Sequence, residues 1–168
     1  IIEISKMLNI KKNILIKVLK NFNGLKYRQQ IIYKTKNLTI INDSKATSYS
    51  SSVSILKSLK NVYWIVGGLA KKGDKFLLAK KDCRTIKAYI FGKDKNFFIK
   101  DLKTIMKYQY FKNLKFLFKK ILLDIKKEKN NKQKIILFSP AAASFDSFKN
   151  FEDRGEYFNN LVKKLIYV

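Results

Sequence analysis

At 168 residues with 46% of them hydrophobic, the chain has the length of one ordinary domain, or one and part of another, and can bury a core. Its formal charge of +25 invites a nucleic-acid reading, but Arg28, Arg84 and Arg154 are its only arginines; scattered lysine is usually a solvated face, so a basic nucleic-acid-binding module stays the minority reading. Histidine is absent and Cys83 stands alone, which excludes disulfide frameworks, Cys/His zinc sites and His-based triads and suits a reducing cytoplasm.

No apolar run approaches the ~20 residues of a membrane span, and no signal-peptide pattern opens the chain. It begins at Ile1 rather than Met, inside an element, and so reads as a fragment of something longer. From Ile10, the apolar residues Ile14, Val18 and Phe22, widened by Leu15 and Leu19, predict an amphipathic helix with a face to bury. Asn23-Gly24 stops it, and Gly24 to Arg28 is a connector after which the periodicity becomes that of strands, so a domain boundary falls near residue 23. Gln29 to Lys34 and Leu38 to Asn42 read as strands about a turn at Thr35-Lys36-Asn37, the first half-buried and the second buried. The serine-rich run from Ser48 to Ser54 resembles a linker, yet Tyr49, Val53, Leu56 and Leu59 keep helical spacing, which predicts a helix. Val62 to Val66 is β-branched and aromatic and closes on Gly67-Gly68, as a buried parallel strand does.

A short helix from about Lys75 to Lys81, a strand over Ile86 to Phe91, a helix around Asn96 to Leu102 and a strand around Ile105 to Tyr110 come next. Leu114, Leu117, Phe118, Ile121, Leu122 and Ile125 form a stripe with lysines off it: a core helix, with a lysine-rich membrane-surface helix as the lesser reading. Ile135 to Phe138 is the last strand, Ser139 to Ser144 its loop, and Phe148, Phe151, Phe158, Val162 and Leu165 carry a closing helix. Strands alternating with helices predict an α/β fold with a doubly wound, mainly parallel sheet.

In such a sheet three loops leave one carboxyl edge: Asp43 to Thr47, Gly67 to Asp74, and Ser139 to Ser144. Lys45 and Lys71 can each pair with a carboxylate or phosphate, and Thr47 and Ser144 can donate at helix N-termini. Gly67-Gly68 lacks the third glycine of a dinucleotide fingerprint, and no G-x-x-x-x-G-K-[ST] occurs. Asp43 has no second acid in another strand-end loop except Asp74, which leaves a paired-carboxylate hydrolase without support.

Taken in order, Gly24-Leu25-Lys26-Tyr27-Arg28, Ile41-Asn42-Asp43-Ser44-Lys45-Ala46-Thr47, Gly67-Gly68-Leu69-Ala70-Lys71 and the stretch from Ser139 through Phe145-Asp146 to Arg154-Gly155 resemble the C-terminal part of a known family. It is that of the Mur ligases that add D-glutamate to UDP-N-acetylmuramoyl-L-alanine in peptidoglycan synthesis. The resemblance covers essentially the whole chain. It implies that residues 1–22 are the tail of a central ATPase domain and 23–168 a Rossmann-like Mur ligase C-terminal domain. It further implies ATP- and Mg2+-dependent peptide-bond formation through an acyl phosphate, in a cytoplasmic monomer. By motif position Thr47, Lys71, Ser144 and Phe151 would hold D-glutamate with Phe145 lining the pocket, while Arg28 and Asp43 would meet ATP and Lys45 its phosphates. The family's phosphate loop and metal ligands lie upstream, so the fragment alone is expected to fold without catalysing. Tyr27 replaces a frequent histidine, Leu69 stands where some members are acidic, and Ala142 and Phe145 replace a more usual Cys and Leu. A folylpolyglutamate-type ligase of the same superfamily is the nearest competing reading.

Overall fold

The computed structural model describes residues 2–22 and 24–166 of the chain. Two helices, α1 (Ile2–Met7) and α2 (Lys12–Asn21), precede a six-stranded sheet. Its strands are β1 (Gln30–Lys34), β2 (Leu38–Asn42), β3 (Val62–Gly67), β4 (Ile86–Phe91), β5 (Lys107–Tyr110) and β6 (Lys134–Phe138). Spatial order is β1-β2-β6-β3-β4-β5, with β1 antiparallel to β2 and every other neighbouring pair parallel.

Side chains of a strand alternate between faces, and β3 uses both. Trp64 and Val66 join Ile41, Ile90 and Leu137 under α3 (Tyr49–Ser58) and α4 (Lys95–Leu102). Tyr63 and Ile65 join Ile40, Tyr89 and Phe138 under α5 (Leu114–Lys127) and α6 (Phe151–Ile166). Helix α3 therefore leaves β2 toward one face while α6 leaves the adjacent β6 toward the other. That divergence is a topological switch point, and it opens a crevice at the carboxyl edge of β2, β6 and β3.

Several sequence expectations shift, each for a local reason. No helix spans Lys75 to Lys81; the segment is irregular and ends in a 3-10 turn at Lys80–Cys83. There Leu78 is buried and Leu77 is 78% exposed, an alternation unlike a helical stripe. Asp74, the acid that could cap such a helix, instead accepts from the Tyr49 backbone N–H at 2.5 Å and holds the start of α3. The first strand begins at Gln30 because Gln29 has φ +47, and β5 begins at Lys107 because Ile105 and Met106 still bond back to the Leu102 carbonyl. The closing helix starts at Phe151, where the Asn150 side chain accepts from the Asp153 N–H at 2.7 Å; Phe148 lies outside it and packs on Tyr157. The stripe of α2 exists, but Ile14, Val18, Leu19 and Phe22 stay exposed rather than buried. Asn23, the expected helix stop and domain boundary, lies outside the described residues, as do Ile1, Tyr167 and Val168.

Candidate functional site

The apolar run of β2 ends in polar residues that are nevertheless buried, so each needs a partner. The Asn42 amide donates to the Gly155 carbonyl at 2.9 Å and the Asn159 side chain at 2.7 Å, while its oxygen accepts from the Ser44 N–H. Asp43 accepts from the Gln29 N–H at 3.1 Å on one oxygen and from the Ser139 hydroxyl at 2.9 Å on the other. Burial lifts its carboxyl above the usual value, against the lowering effect of those two bonds. Ser139 also meets the Ser52 hydroxyl at 2.7 Å, and its carbonyl accepts from the Trp64 indole at 2.7 Å.

Arg154 of α6 is fully buried and, among the described residues, faces no carboxylate at ion-pair distance. Its guanidinium donates to the Ser44 hydroxyl at 3.1 Å, the Ser44 carbonyl at 2.8 Å and the Ala142 carbonyl at 3.0 Å. One side chain thus ties the loop after β2 to the loop after β6. Burial pulls its pKa down to about 10, which still leaves it charged near neutrality. The third loop is joined by backbone: Gly67 N–H donates to the Pro140 carbonyl, and Leu69 and Ala143 exchange hydrogen bonds of 3.0 and 2.9 Å. Lys71 follows two residues later, and its carbonyl accepts from Asp74, the residue that holds the N-terminus of α3.

Of the residues expected at a nucleotide, Arg28, Asp43 and Lys45 line one open cleft of about 470 Å3, together with Phe22, Leu25 and Ser51. The connector before β1 is fixed on this side. Tyr27, at φ +62, lies against Gly155, and its hydroxyl donates to Glu156 at 2.7 Å, a bond that pushes its pKa up to about 12. The Lys45 ammonium lies 3.7 Å from the centroid of the Phe151 ring, so this cleft adjoins a residue expected at the amino acid.

The remaining expected residues are less uniform. Lys71 and Thr47 are exposed at the carboxyl edge, and Ser144 is buried with no hydrogen bond to its hydroxyl among the described residues. Of the two hydroxyls expected at helix N-termini, Thr47 lies beside one and Ser144 does not. Ser48 caps α3, one residue beyond Thr47, and Ser144 lies in a turn well ahead of α6. Phe145 is 71% exposed and closes no pocket here. Among the described residues no group of three or more His, Cys, Asp or Glu could hold a metal ion. Cys83 is buried, and burial pushes its thiol up to about 11, which removes it as a nucleophile at neutral pH. Larger hollows lie elsewhere, one of about 830 Å3 at the amino ends of β3 and β4, away from the edge where open α/β sheets bind ligands.

Sequence reasoning passed over Ser139, Asn42, Ser44 and Arg154 as contributors. The available signal was the row Asn42-Asp43-Ser44 directly after a buried apolar strand: polar groups there must be answered by partners elsewhere in the chain.

No family model matches the chain. It is 38% identical over 162 residues to UDP-N-acetylmuramoylalanine–D-glutamate ligase of Wolbachia sp. subsp. Brugia malayi, which covers 96% of this chain and 32% of that relative. It is 37% identical over 169 residues to the ligase of the same name from Francisella tularensis, covering 98% of this chain and 39% of that relative. The chain thus spans roughly a third of the length of the curated relatives it matches. Among solved structures, UDP-N-acetylmuramate-alanine ligase of Thermotoga maritima superposes on 97% of this chain and 36% of its own, with TM-score 0.61 at 14% identity. That likeness shows the fold, a doubly wound α/β sheet shared with part of a Mur ligase.

Proposed function

We propose that this chain, a homologue of UDP-N-acetylmuramoylalanine–D-glutamate ligases along almost its whole length, is the C-terminal part of such an enzyme. It supplies the amino-acid site and one wall of the ATP site, and residues 23–168 form the domain that closes on a central ATPase domain whose tail is residues 1–22. The observation that carries this reading is the convergence of three strand-end loops, two of them bound to each other by Arg154 and two by the Leu69–Ala143 bridge.

Arg28, Asp43 and Lys45 take the nucleotide side. The carboxylate of Asp43, held by Gln29 and Ser139, keeps lone pairs to accept from ribose hydroxyls, and Lys45 places a cation where phosphates enter. Lys71, Thr47, Ser144 and Phe151 take D-glutamate: one ammonium and two hydroxyls suit an anionic amino acid, and Phe151 packs against its carbon chain. Phe145 turns inward only when the site closes. In the reaction ATP phosphorylates the carboxylate of UDP-N-acetylmuramoyl-L-alanine, the amine of D-glutamate attacks the acyl phosphate, and phosphate leaves as the peptide bond forms. This chain's share is to bind and orient the amine while excluding water from the acyl phosphate. Mg2+ would supply neutralisation of phosphate charge, and the residues that would hold it belong upstream, since the described residues offer no such group. The enzyme works as a monomer in the cytoplasm.

The test joins this chain to the upstream part of the Francisella tularensis relative and measures phosphate release against D-glutamate concentration, with and without Lys71→Ala. The half-saturating concentration is expected to rise on the order of a hundredfold, the size of a lost charge-assisted contact. An unchanged half-saturation and rate would remove Lys71 from the site.

A further inference from the structure

Helix α5 buries Leu114, Leu117, Phe118 and Ile121 against the sheet, and a helix so placed ordinarily turns a polar back to water. This one does not. Lys115, Phe116, Lys119, Leu123 and Lys126 recur at helical spacing and share one outward stripe, with Leu122 half-buried at its edge. Phe116 is 61% exposed and Leu123 is 55% exposed, and Leu122 and Leu123 join Leu165 of α6 around an open hollow of about 260 Å3.

The stripe carries no acid. Asp124, the single acid of α5, is engaged by Lys120 and by the Tyr89 hydroxyl at 2.7 Å. Glu128, the next along the chain, pairs with Lys87 at 2.6 Å, and that bond holds its carboxyl down to about 2. None of the three lysines on the stripe forms an ion pair among the described residues.

Exposed apolar side chains interleaved with free ammonium groups fit one kind of surface. An acyl boundary takes the apolar groups while headgroup phosphates, in the same plane, take the lysines. A nucleic acid would satisfy the lysines and leave Phe116 and Leu123 in water; an apolar protein groove would do the reverse. We infer that the outer face of α5 docks on an anionic lipid surface, with Phe116 and Leu123 entering the acyl boundary and Lys115, Lys119 and Lys126 at the phosphates. No described helix is long and apolar enough to cross a membrane, so the association is peripheral. The stripe shares no residue with the cleft of Arg28, Asp43 and Lys45.

The experiment mixes the 168-residue chain at physiological salt with vesicles of equal parts phosphatidylglycerol and phosphatidylcholine, or of phosphatidylcholine alone, and measures the sedimented fraction. Binding is expected to the anionic vesicles only. The pair Phe116→Ser and Leu123→Ser, which leaves the charge unchanged, should weaken it about tenfold or more. Removing three exposed lysines beside the opposite helices, with Lys57→Gln, Lys60→Gln and Lys100→Gln, should weaken it less than about threefold. A second readout uses Phe116→Trp: Trp64 is fully buried, so a blue shift on adding anionic vesicles reports position 116. Binding that survives the serine pair, or an emission that does not shift, places the contact elsewhere, on the lysine charge or on the exposed apolar residues of α1 and α2, and overturns the inference. Preference for single-stranded oligonucleotide over the vesicles at the same salt, lost when Lys115, Lys119 and Lys126 become Gln, overturns it in favour of nucleic acid.

Discussion

Replacing Gly67 by Ala is expected to destabilise the fold by about 4 kcal/mol or more, read as a lowered urea midpoint or loss of a cooperative transition. Two independent causes act at this position. Its φ of +135 is one that L side chains rarely adopt, and an added Cβ would overlap the Phe91 carbonyl oxygen and fall 2.8 Å from its carbon. Neither strand can yield, because Gly67 and Phe91 are paired at the end of a parallel ladder. Gly73 is the control: its φ is +77 but nothing lies within 4 Å of the place an added Cβ would take, so Gly73→Ala should cost on the order of 1 kcal/mol. Equal effects at the two glycines would mean that the close approach of β3 to β4 is not what holds the carboxyl edge.

Removing the guanidinium with Arg154→Ala is expected to cost about 3 to 5 kcal/mol. The substitution leaves the Ser44 hydroxyl, the Ser44 carbonyl and the Ala142 carbonyl without their donor in a fully buried place, and it opens a void where a large side chain was. Arg154→Lys should recover only part of the loss, since one ammonium cannot reproduce a fork that reaches two loops. Amide hydrogen exchange separates this from general loosening. Protection should fall first at Ala46, which bonds to the Asp43 carbonyl, and at Ala143, which bonds to Leu69, before it falls in β4. A change no larger than that of a surface lysine would contradict the role given to Arg154.

How far the sequence discloses this fold depends on which force sets each element. Where burial does, as in Val62 to Val66 or Leu114 to Ile125, the period of apolar residues names the element almost to its ends. Where one hydrogen bond does, it fails by a residue or more. The helix expected from about Lys75 to Lys81 is absent, and Asp74 spends its carboxylate on the start of α3 instead. The site divides in the same way. Its three loops follow from the alternation of strands and helices, because parallel strands deliver their carboxyl ends to one edge. The partners inside it do not: Arg154 meets Ser44 across 110 residues of chain, and Ser139 meets Asp43 across 96, separations that no local pattern encodes. The amino-acid roles of Lys71, Thr47, Ser144, Phe145 and Phe151 rest on motif position beside these loops, which is why their test must be functional.

Whether these loops form a site for D-glutamate is decided by acceptor choice. With this chain joined to the upstream part of the Francisella tularensis relative and supplied with ATP, Mg2+ and UDP-N-acetylmuramoyl-L-alanine, phosphate release is followed with D-glutamate or L-glutamate. Release is expected to depend on D-glutamate and to fall on the order of a hundredfold or more with the L-isomer, whose amine or side-chain carboxylate must leave its partners. Release driven equally well by L-glutamate would contradict a D-glutamate site and point to a folylpolyglutamate-type acceptor site instead.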